Sequence, residues 1–236
     1  MRDDVRVARR TGWCAALAVS LLLALGGCGT ASPPSRPTGV DELVVPTPSP
    51  DPDDFVRGVD NPWFPLPAGA TWSYEATGFP DGAAPTATAR VLPGTVDVAG
   101  VATTSLERTL PDGTTTTDHY AQDREGNVWW FGRDGLWAAG EDGAGAGLAM
   151  PAAPRLGDGW RAAYAAGVVD VRATVSTLDE TVSTPVGRFT DVVAVDTTDA
   201  QVPQSGTRSL YARGVGLVEQ VALEGPVVEL RLQTGP

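Results

Sequence analysis

The sequence predicts an all-β fold: a single antiparallel, strongly curved sheet that forms a half-barrel or barrel-like domain of about ten strands. Short runs rich in β-branched and aromatic residues alternate with breaks that contain Gly or Pro, and no window keeps the 3.6-residue period of a helix. The turn sequences "PDGT" (111–114) and "DREGN" (123–127) each separate two such runs and favour hairpins, hence antiparallel pairing. About ten short strands without a repeat period favour a curved sheet, barrel or sandwich.

Ten segments carry the strand pattern. The clearest alternates Val169, Val171, Ala173 and Val175 with polar residues. Two intervening stretches differ: the glycine-rich segment 140–154 predicts a long irregular loop, and "GDGWRAAYAAG" (157–167) favours at most a helical turn. In chain order the predicted strands are 70–77, 87–93, 101–110, 114–123, 127–132, 167–178, 188–198, 207–213, 216–223 and 227–234.

Residues 1–27 have the organisation of a signal peptide. A basic start is followed by an uncharged run at 13–27, which is shorter than the roughly 20 residues needed to span a bilayer. The ending "LGGC" (25–28) resembles the lipobox of bacterial lipoproteins, although Gly26 stands where Ala or Ser is more usual. The resemblance implies cleavage before Cys28 and attachment of diacylglycerol to its thiol. The protein would then be extracytoplasmic and anchored to the cell membrane by lipid. The alternatives are an ordinary secretory signal cut nearby, or a retained membrane anchor.

After Cys28 the chain divides into a linker and a domain. Residues 29–54 contain seven prolines and no aromatic residue, so segment 28–54 is predicted to be a disordered tether that carries the lipid. From Phe55 the composition changes, and residues 55–236 are long enough to form one antiparallel β domain with a sizeable core.

Charge and composition exclude several classes of function. Removal of the signal takes away four Arg and two Asp, which leaves 13 Arg against 27 acidic residues and a net charge of −14. Such a surface repels nucleic acid, so nucleic acid is not a predicted partner. The chain contains no lysine, which excludes Schiff-base chemistry and a P-loop. Because Cys14 leaves with the signal and Cys28 carries lipid, no disulfide is expected.

Catalytic and metal motifs are weak. The single histidine, His119, follows Asp118 directly, so on a strand the two side chains point to opposite faces, and no "GxSxG" elbow occurs. His119 is therefore interpreted as a surface or core-edge residue, and no catalytic residue or cofactor is predicted. Asp123, Glu125 and Asn127 alternate like the start of a calcium loop but lack its bidentate Glu, so a hairpin turn is the preferred interpretation.

Aromatic residues are the more informative signal. Most are expected in the core, and several are candidates to line an apolar cavity for a lipid or another hydrophobic ligand. Two tryptophans are adjacent on a predicted strand, so their rings face opposite sides of the sheet. The candidate ligand-binding residues are Trp63, Phe64, Trp72, Trp129, Trp130 and Trp137.

Four segments of the domain also carry recognisable motifs, namely "FVRGVDNPWFPLPAGATWSYE" (55–75), "YAQDREGNVWWFGRDG" (120–135), "TPVGRFTDVVAV" (184–195) and "YARGVGLVEQ" (211–220). Together, and in this order, they resemble a family of secreted actinobacterial and other bacterial proteins, many of them lipoproteins. The resemblance implies a curved antiparallel sheet and carries over no catalytic residue. It also implies that Trp63 and Phe64 dock as an apolar plug.

These observations predict a lipid-anchored envelope protein that acts by non-covalent binding and not as an enzyme. One hypothesis is a carrier that holds a lipid or other hydrophobic ligand in an apolar concavity. An alternative is a protein-interaction module of the cell envelope that uses an exposed strand edge or aromatic patch. A third is a hydrolase built on a pair of carboxylates, which clustered buried carboxylates with a raised pKa would favour.

Overall fold

The computed structural model describes residues 51–80, 83, 85–202 and 204–236. Within these ranges the chain forms fifteen strands and one short 3-10 turn. The prediction of an all-β fold with a strongly curved antiparallel sheet is confirmed. No helix in the described part of the chain is long and apolar enough to cross a membrane. The predicted signal peptide, Cys28 and the linker up to residue 50 lie outside the described residues.

All ten predicted strands are present, and five further strands accompany them. The largest difference in length is at the strand that begins at Val169, which continues to Thr184. The strands are β1 (Phe55–Val56), β2 (Thr71–Thr77), β3 (Thr86–Val91), β4 (Val96–Val98), β5 (Val101–Thr109), β6 (Thr115–Asp123), β7 (Val128–Arg133), β8 (Trp137–Ala138), β9 (Gly147–Met150), β10 (Gly159–Ala165), β11 (Val169–Thr184), β12 (Gly187–Asp199), β13 (Thr207–Ala212), β14 (Gly216–Ala222) and β15 (Glu229–Thr234).

The strands pair in one continuous antiparallel sheet, in the order β10-β11-β12-β13-β14-β15-β2-β3-β5-β6-β7. The pairing of β15 with β2 joins the last strand to the first long one. The free edge of β7 is shared, because β9 pairs with its first half and β8 with its second half. A bridge between Gly145 and Tyr164 then brings the segment before β9 to β10. The sheet is therefore nearly closed into a barrel.

The seam between β9 and β10 depends on small residues. A Cβ atom on Gly147 would lie 2.2 Å from the carbonyl oxygen of Ala162, so only glycine fits there without a shift of the backbone. The predicted loop at 140–154 therefore contains a strand, and the predicted helical turn at 157–167 is wrong, since β10 occupies it. Alanine favours a helix locally, but its small side chain also permits this close approach of strands. The segment forms a strand because it pairs with β11.

The interior of the barrel-like sheet is filled by side chains. In β2, for example, Trp72 and Tyr74 are buried in the main hydrophobic cluster, whereas Thr71 and Glu75, which flank them, are exposed. A small cavity next to Phe64 and Trp72 has a volume of about 30 Å³. This is room for about one water molecule and not for a lipid.

A short segment before β2 is fixed to the sheet by Asn61, which is buried. Its Nδ2 donates to the carbonyl oxygens of Gly126 (2.8 Å) and Pro151 (3.2 Å). Its Oδ1 accepts from the backbone N–H groups of Trp63 (2.8 Å) and Phe64 (3.1 Å). The asparagine side chain thereby connects three separate parts of the chain, and it holds the "NPWF" sequence against the core.

Candidate functional site

The six aromatic candidates do not gather around one cavity. Three of them, Trp63, Phe64 and Trp72, make contacts within the fold. Phe64 is buried against Tyr120, with ring centroids 5.0 Å apart. Trp72 is buried, and its indole N–H donates to the carbonyl oxygen of Val215 at 3.1 Å. Trp63 is half-buried beneath the guanidinium of Arg213. These contacts are those of core and plug residues.

The other three candidates lie on or near β7. Trp129 and Trp130 occupy opposite faces of this strand, as expected for neighbours. Trp129 lies on the outer face and donates its indole N–H to Asp123 at 2.8 Å. Trp130 points inward and meets Trp137 edge to face, with centroids 5.4 Å apart. Of the six, Trp137 lines the pocket described next.

A pocket of about 350 Å³ lies where the β7–β8 and β10–β11 turns approach β4. We call it the end pocket. Its walls are partly apolar and include Trp137, whose ring contacts that of Trp130. Five polar or charged side chains also line it: His119, Arg133, Asp134, Glu141 and Asp142. The walls come from four separate segments of the chain, and the sequence pattern did not indicate that they meet.

His119 is held in a chain of hydrogen bonds at the wall of the end pocket. Its Nδ1 lies 3.0 Å from Ser105 Oγ on the neighbouring strand, and its Nε2 lies 2.7 Å from Asp134 Oδ1. The histidine side chain is only 7% exposed, whereas that of Asp134 is 65% exposed. Because a carboxylate only accepts, Nε2 carries the proton, and in the neutral ring Nδ1 accepts from the Ser105 hydroxyl.

This arrangement positions a carboxylate and does not present a nucleophile. Ser105 is buried and is not part of the pocket wall, so a substrate in the end pocket does not reach its hydroxyl. Both ring nitrogens of His119 are engaged, and the exposed end of the chain is Asp134. The sequence identified His119 and its orientation opposite Asp118 but missed Ser105 and Asp134. In the register of β5 and β6, Ser105 lies directly opposite His119. A prediction of this register would have identified Ser105 as the partner of His119.

On the other face of β6, Asp118 is completely buried between two arginines. Its carboxylate accepts from Arg108 at 2.6 Å and from Arg133 at 2.8 and 3.1 Å. Burial lowers the pKa of Arg108, but Tyr120 and Asp118 raise it more, so its net shift is upward and the guanidinium stays charged. Arg133 also lines the end pocket, and it shares the single carboxylate of Asp118 with Arg108.

The residues considered for calcium form a hairpin turn. Asp123 accepts from the backbone N–H and the side-chain amide of Asn127, at 2.8 and 2.9 Å, in addition to the indole of Trp129. Glu125 is exposed at the tip. Within the described ranges, no group of three or more His, Cys, Asp or Glu side chains is arranged to hold a metal ion. The carboxylate of Asp123 thus acts as a connector within the turn.

Three interior tyrosines predict an alkaline limit to stability. Burial raises the pKa of Tyr74, Tyr120 and Tyr211, and the charge of Arg108 opposes this rise only in part. For Tyr120 the pKa rises to about 12. Unfolded tyrosine ionises near pH 10, so above about that pH the unfolded chain releases protons that the folded chain retains. The contribution of these protonated phenols to the free energy of unfolding is fully present below about pH 10, and it is lost as the pH rises through their pKa in the folded protein.

We therefore expect the free energy of unfolding to fall steadily above about pH 10. Urea unfolding at a series of alkaline pH values measures it, with tyrosinate absorbance recorded on the folded protein. The Tyr120→Phe variant is expected to show a shallower fall than the wild type. Ionisation of all the tyrosines near pH 10 while the protein remains folded would contradict the burial of the three phenols.

Comparison with known proteins gives a likeness of fold. No family model matches the sequence, and no curated protein matches it. The solved structures similar to it include a "putative exported protein with YmcC-like fold" from Bacteroides fragilis, with 16% identity and a TM-score of 0.43. They also include a "putative lipoprotein" from Parabacteroides distasonis, with 11% identity and a TM-score of 0.40. Each alignment covers 74% of this chain and 98% of the other. At these values the likeness gives no information on ligand or reaction.

Proposed function

We propose that this protein is an extracytoplasmic lipoprotein, anchored through Cys28, that binds a small ligand non-covalently in the end pocket. The anchor rests on the sequence of residues 1–28. The binding function rests on one observation, which is the presence of a cavity of about 350 Å³ whose walls combine apolar and polar side chains. Ligand sites in proteins typically begin at about 300 Å³ and combine apolar walls with a few polar groups.

The position of the cavity differs from the concavity that the aromatic residues suggested. The barrel interior next to Phe64 and Trp72 has room for about 30 Å³ and is occupied by side chains. A ligand-sized volume is found instead at the end of the sheet, outside the main core. The proposed ligand is therefore compact, and a long acyl chain inside the barrel does not fit this packing.

The rim of the end pocket supports a binding role. Val96, Leu136 and Val168 are 44%, 51% and 40% exposed, and they come from three different elements. All three line the pocket. Exposed aliphatic side chains are ordinary when scattered, but a group that converges on one cavity is typical of a binding site. Because Ser105 is shielded from the pocket, the proposal is binding without covalent chemistry.

Filling the pocket tests the proposal. The full chain is purified in detergent, and native mass spectrometry is recorded before and after organic extraction. We expect a bound mass with the wild type, lost on extraction, and absent from the Ala166→Trp variant. Ala166 is an exposed residue of the pocket wall, so a large side chain there occupies the cavity without entering the core.

The matched control is Leu156→Trp, which adds the same indole at an exposed position away from the pocket. The control is expected to keep the bound mass. A wild type that carries no extractable mass, or a mass that persists in Ala166→Trp, would refute binding in the end pocket. Equal melting temperatures of the two variants would exclude misfolding as the cause of a loss.

A further inference from the structure

We infer that the ligand of the end pocket is a cation: a protonated amine with a short apolar body. This inference rests on the proposed function and adds the chemical class of the ligand. It is carried by the charges that surround the cavity, by the way these charges are or are not balanced, and by the apolar wall on which the rest of the ligand would pack.

Within the described part of the chain, three carboxylates around the end pocket have no arginine partner, and only Asp134 has a basic neighbour, the imidazole of His119. Asp134, Glu141 and Asp142 all line the cavity and all are exposed. Among the described residues, no arginine forms an ion pair with any of them. The negative charge at the pocket is therefore available to a ligand.

The one arginine in the pocket wall does not cancel this charge. The guanidinium of Arg133 donates from Nε and Nη2 to the two oxygens of Asp118, which is 0% exposed. It also lies over the ring of Trp130, with its Cζ 5.2 Å from the ring centroid. Both contacts hold the positive group towards the interior. The cavity as a whole thus carries an excess of negative charge, which disfavours anionic ligands such as fatty acids.

Asp134 is the carboxylate best fixed to receive a cation. The N–H of His119 holds one of its oxygens at 2.7 Å, and Ser105 orients the imidazole from the other side. The second oxygen of Asp134 remains available as an acceptor. A carboxylate that is already oriented loses little side-chain entropy when a ligand binds. A charge-assisted hydrogen bond from an ammonium group to this oxygen is the contact we assign.

The other two carboxylates, Glu141 and Asp142, lie on a tight turn that also lines the pocket. Asp142 and Gly143 both have positive φ (48° and 77°), and the N–H of Ala144 donates to the carbonyl oxygen of Glu141 at 2.8 Å. This is the geometry of a type I′ turn, for which Asp-Gly is a favoured sequence. The turn places Glu141 and Asp142 at the pocket, while Val96, Leu136 and Val168 supply apolar contact for the body of the ligand.

Three probes of similar size test the inference: 2-phenylethylamine, 2-phenylethanol and 3-phenylpropanoate. Each is titrated by calorimetry into the full chain in detergent, with protein-free micelles as the blank. We expect the amine to bind about tenfold more tightly than the alcohol, and the carboxylate to bind least. Added salt is expected to weaken amine binding and to leave alcohol binding unchanged.

The variant Asp134→Asn keeps an acceptor for His119 but removes the charge. It is expected to weaken amine binding about fivefold and to leave alcohol binding unchanged. A triple variant that also carries Glu141→Gln and Asp142→Asn is expected to bind the amine no more tightly than the alcohol. Glu125→Gln is the matched control, since Glu125 is exposed at the opposite end of the β6–β7 hairpin. It is expected to bind the amine as the wild type does.

The outcomes separate the inference from the proposed function. If amine and alcohol bind equally and Ala166→Trp abolishes the binding of both, the inference of a cationic ligand is overturned. The proposed binding function is then still supported. Binding of none of the three probes would count against both. An amine preference that survives the triple carboxylate variant would show that the charge comes from elsewhere, and it would overturn the assignment to these three residues.

Discussion

Replacing Asp118 with alanine is expected to lower the free energy of unfolding by about 3 kcal/mol or more. The carboxylate is 0% exposed and accepts three hydrogen bonds from Arg108 and Arg133. Its removal leaves two guanidiniums facing each other at the edge of the core without a counter-charge. Breaking one partner out of a buried ion pair typically costs more than the pair itself contributes, because the remaining charge stays desolvated.

Urea unfolding of the wild type and variant, followed by intrinsic fluorescence, measures the loss. The matched control is Asp196→Ala, which removes a carboxylate that also accepts two hydrogen bonds from one arginine, Arg208, at 2.8 Å each. This pair is partly exposed, so its loss is expected to cost about 1 kcal/mol or less. Equal losses in the two variants would contradict the view that Asp118 neutralises buried charge.

The same substitution has a consequence for the end pocket. Without Asp118, the guanidinium of Arg133 is free to turn towards Asp134, Glu141 or Asp142, none of which pairs with an arginine of the described residues in the wild type. The inferred preference for a cation is then expected to decrease, even though no pocket carboxylate has changed. Asp118 thus connects the stability of the interior with the charge of the cavity, through one arginine that belongs to both.

The alternation in the sequence predicted the strands that have one covered and one open face. β11 is an example, because Val169, Ala173 and Val175 are buried while Arg172 and Thr174 between them are exposed. β10 was missed because its run "GWRAAYA" has little contrast between small apolar and polar positions. What makes it a strand is pairing with β11 and contact with β9, and a local pattern contains neither.

The site was predicted less well than the fold, for a reason visible at His119. Its orientation opposite Asp118 follows from the two-residue period of a strand. Its partner Asp134 lies 15 residues further along and is brought close by the β6–β7 hairpin, in which the register shifts between His119 and Tyr120. A bulge of this kind depends on the packing of both strands, so the pairing is not readable from either sequence segment alone.

The closure of the sheet leads to the second large expected effect, at Gly147. The Gly147→Ala variant is expected to lose about 3 kcal/mol of unfolding free energy, at the upper end of the range for overpacked sites. The added Cβ would lie 2.2 Å from Ala162 O and 2.8 Å from Ala163 N, and both are backbone atoms that side-chain rotation does not move. The two segments must therefore separate, which opens the seam between β9 and β10.

Gly159→Ala is the matched control on the neighbouring strand. Its added Cβ would meet Thr174 Oγ1 at 3.7 Å and Ala173 O at 3.8 Å, which are ordinary contacts. Where the native backbone conformation suits alanine, a Gly→Ala change stabilises a protein by about 0.4–1 kcal/mol, because it lowers the conformational entropy of the unfolded chain. The control is therefore expected to be as stable as the wild type or slightly more stable. Urea unfolding compares the two, and amide hydrogen exchange at 159–165 reports on the seam itself.

The seam also holds the end pocket together, because Ala144 lies before β9 and Ala165 ends β10, and both line the cavity. Gly147→Ala is therefore expected to weaken amine binding together with stability, whereas Asp134→Asn weakens binding alone. Wild-type stability and exchange in Gly147→Ala would show that β9 and β10 are free to separate in the native protein. The cavity would then have one movable wall, and its volume would not set the size of the ligand.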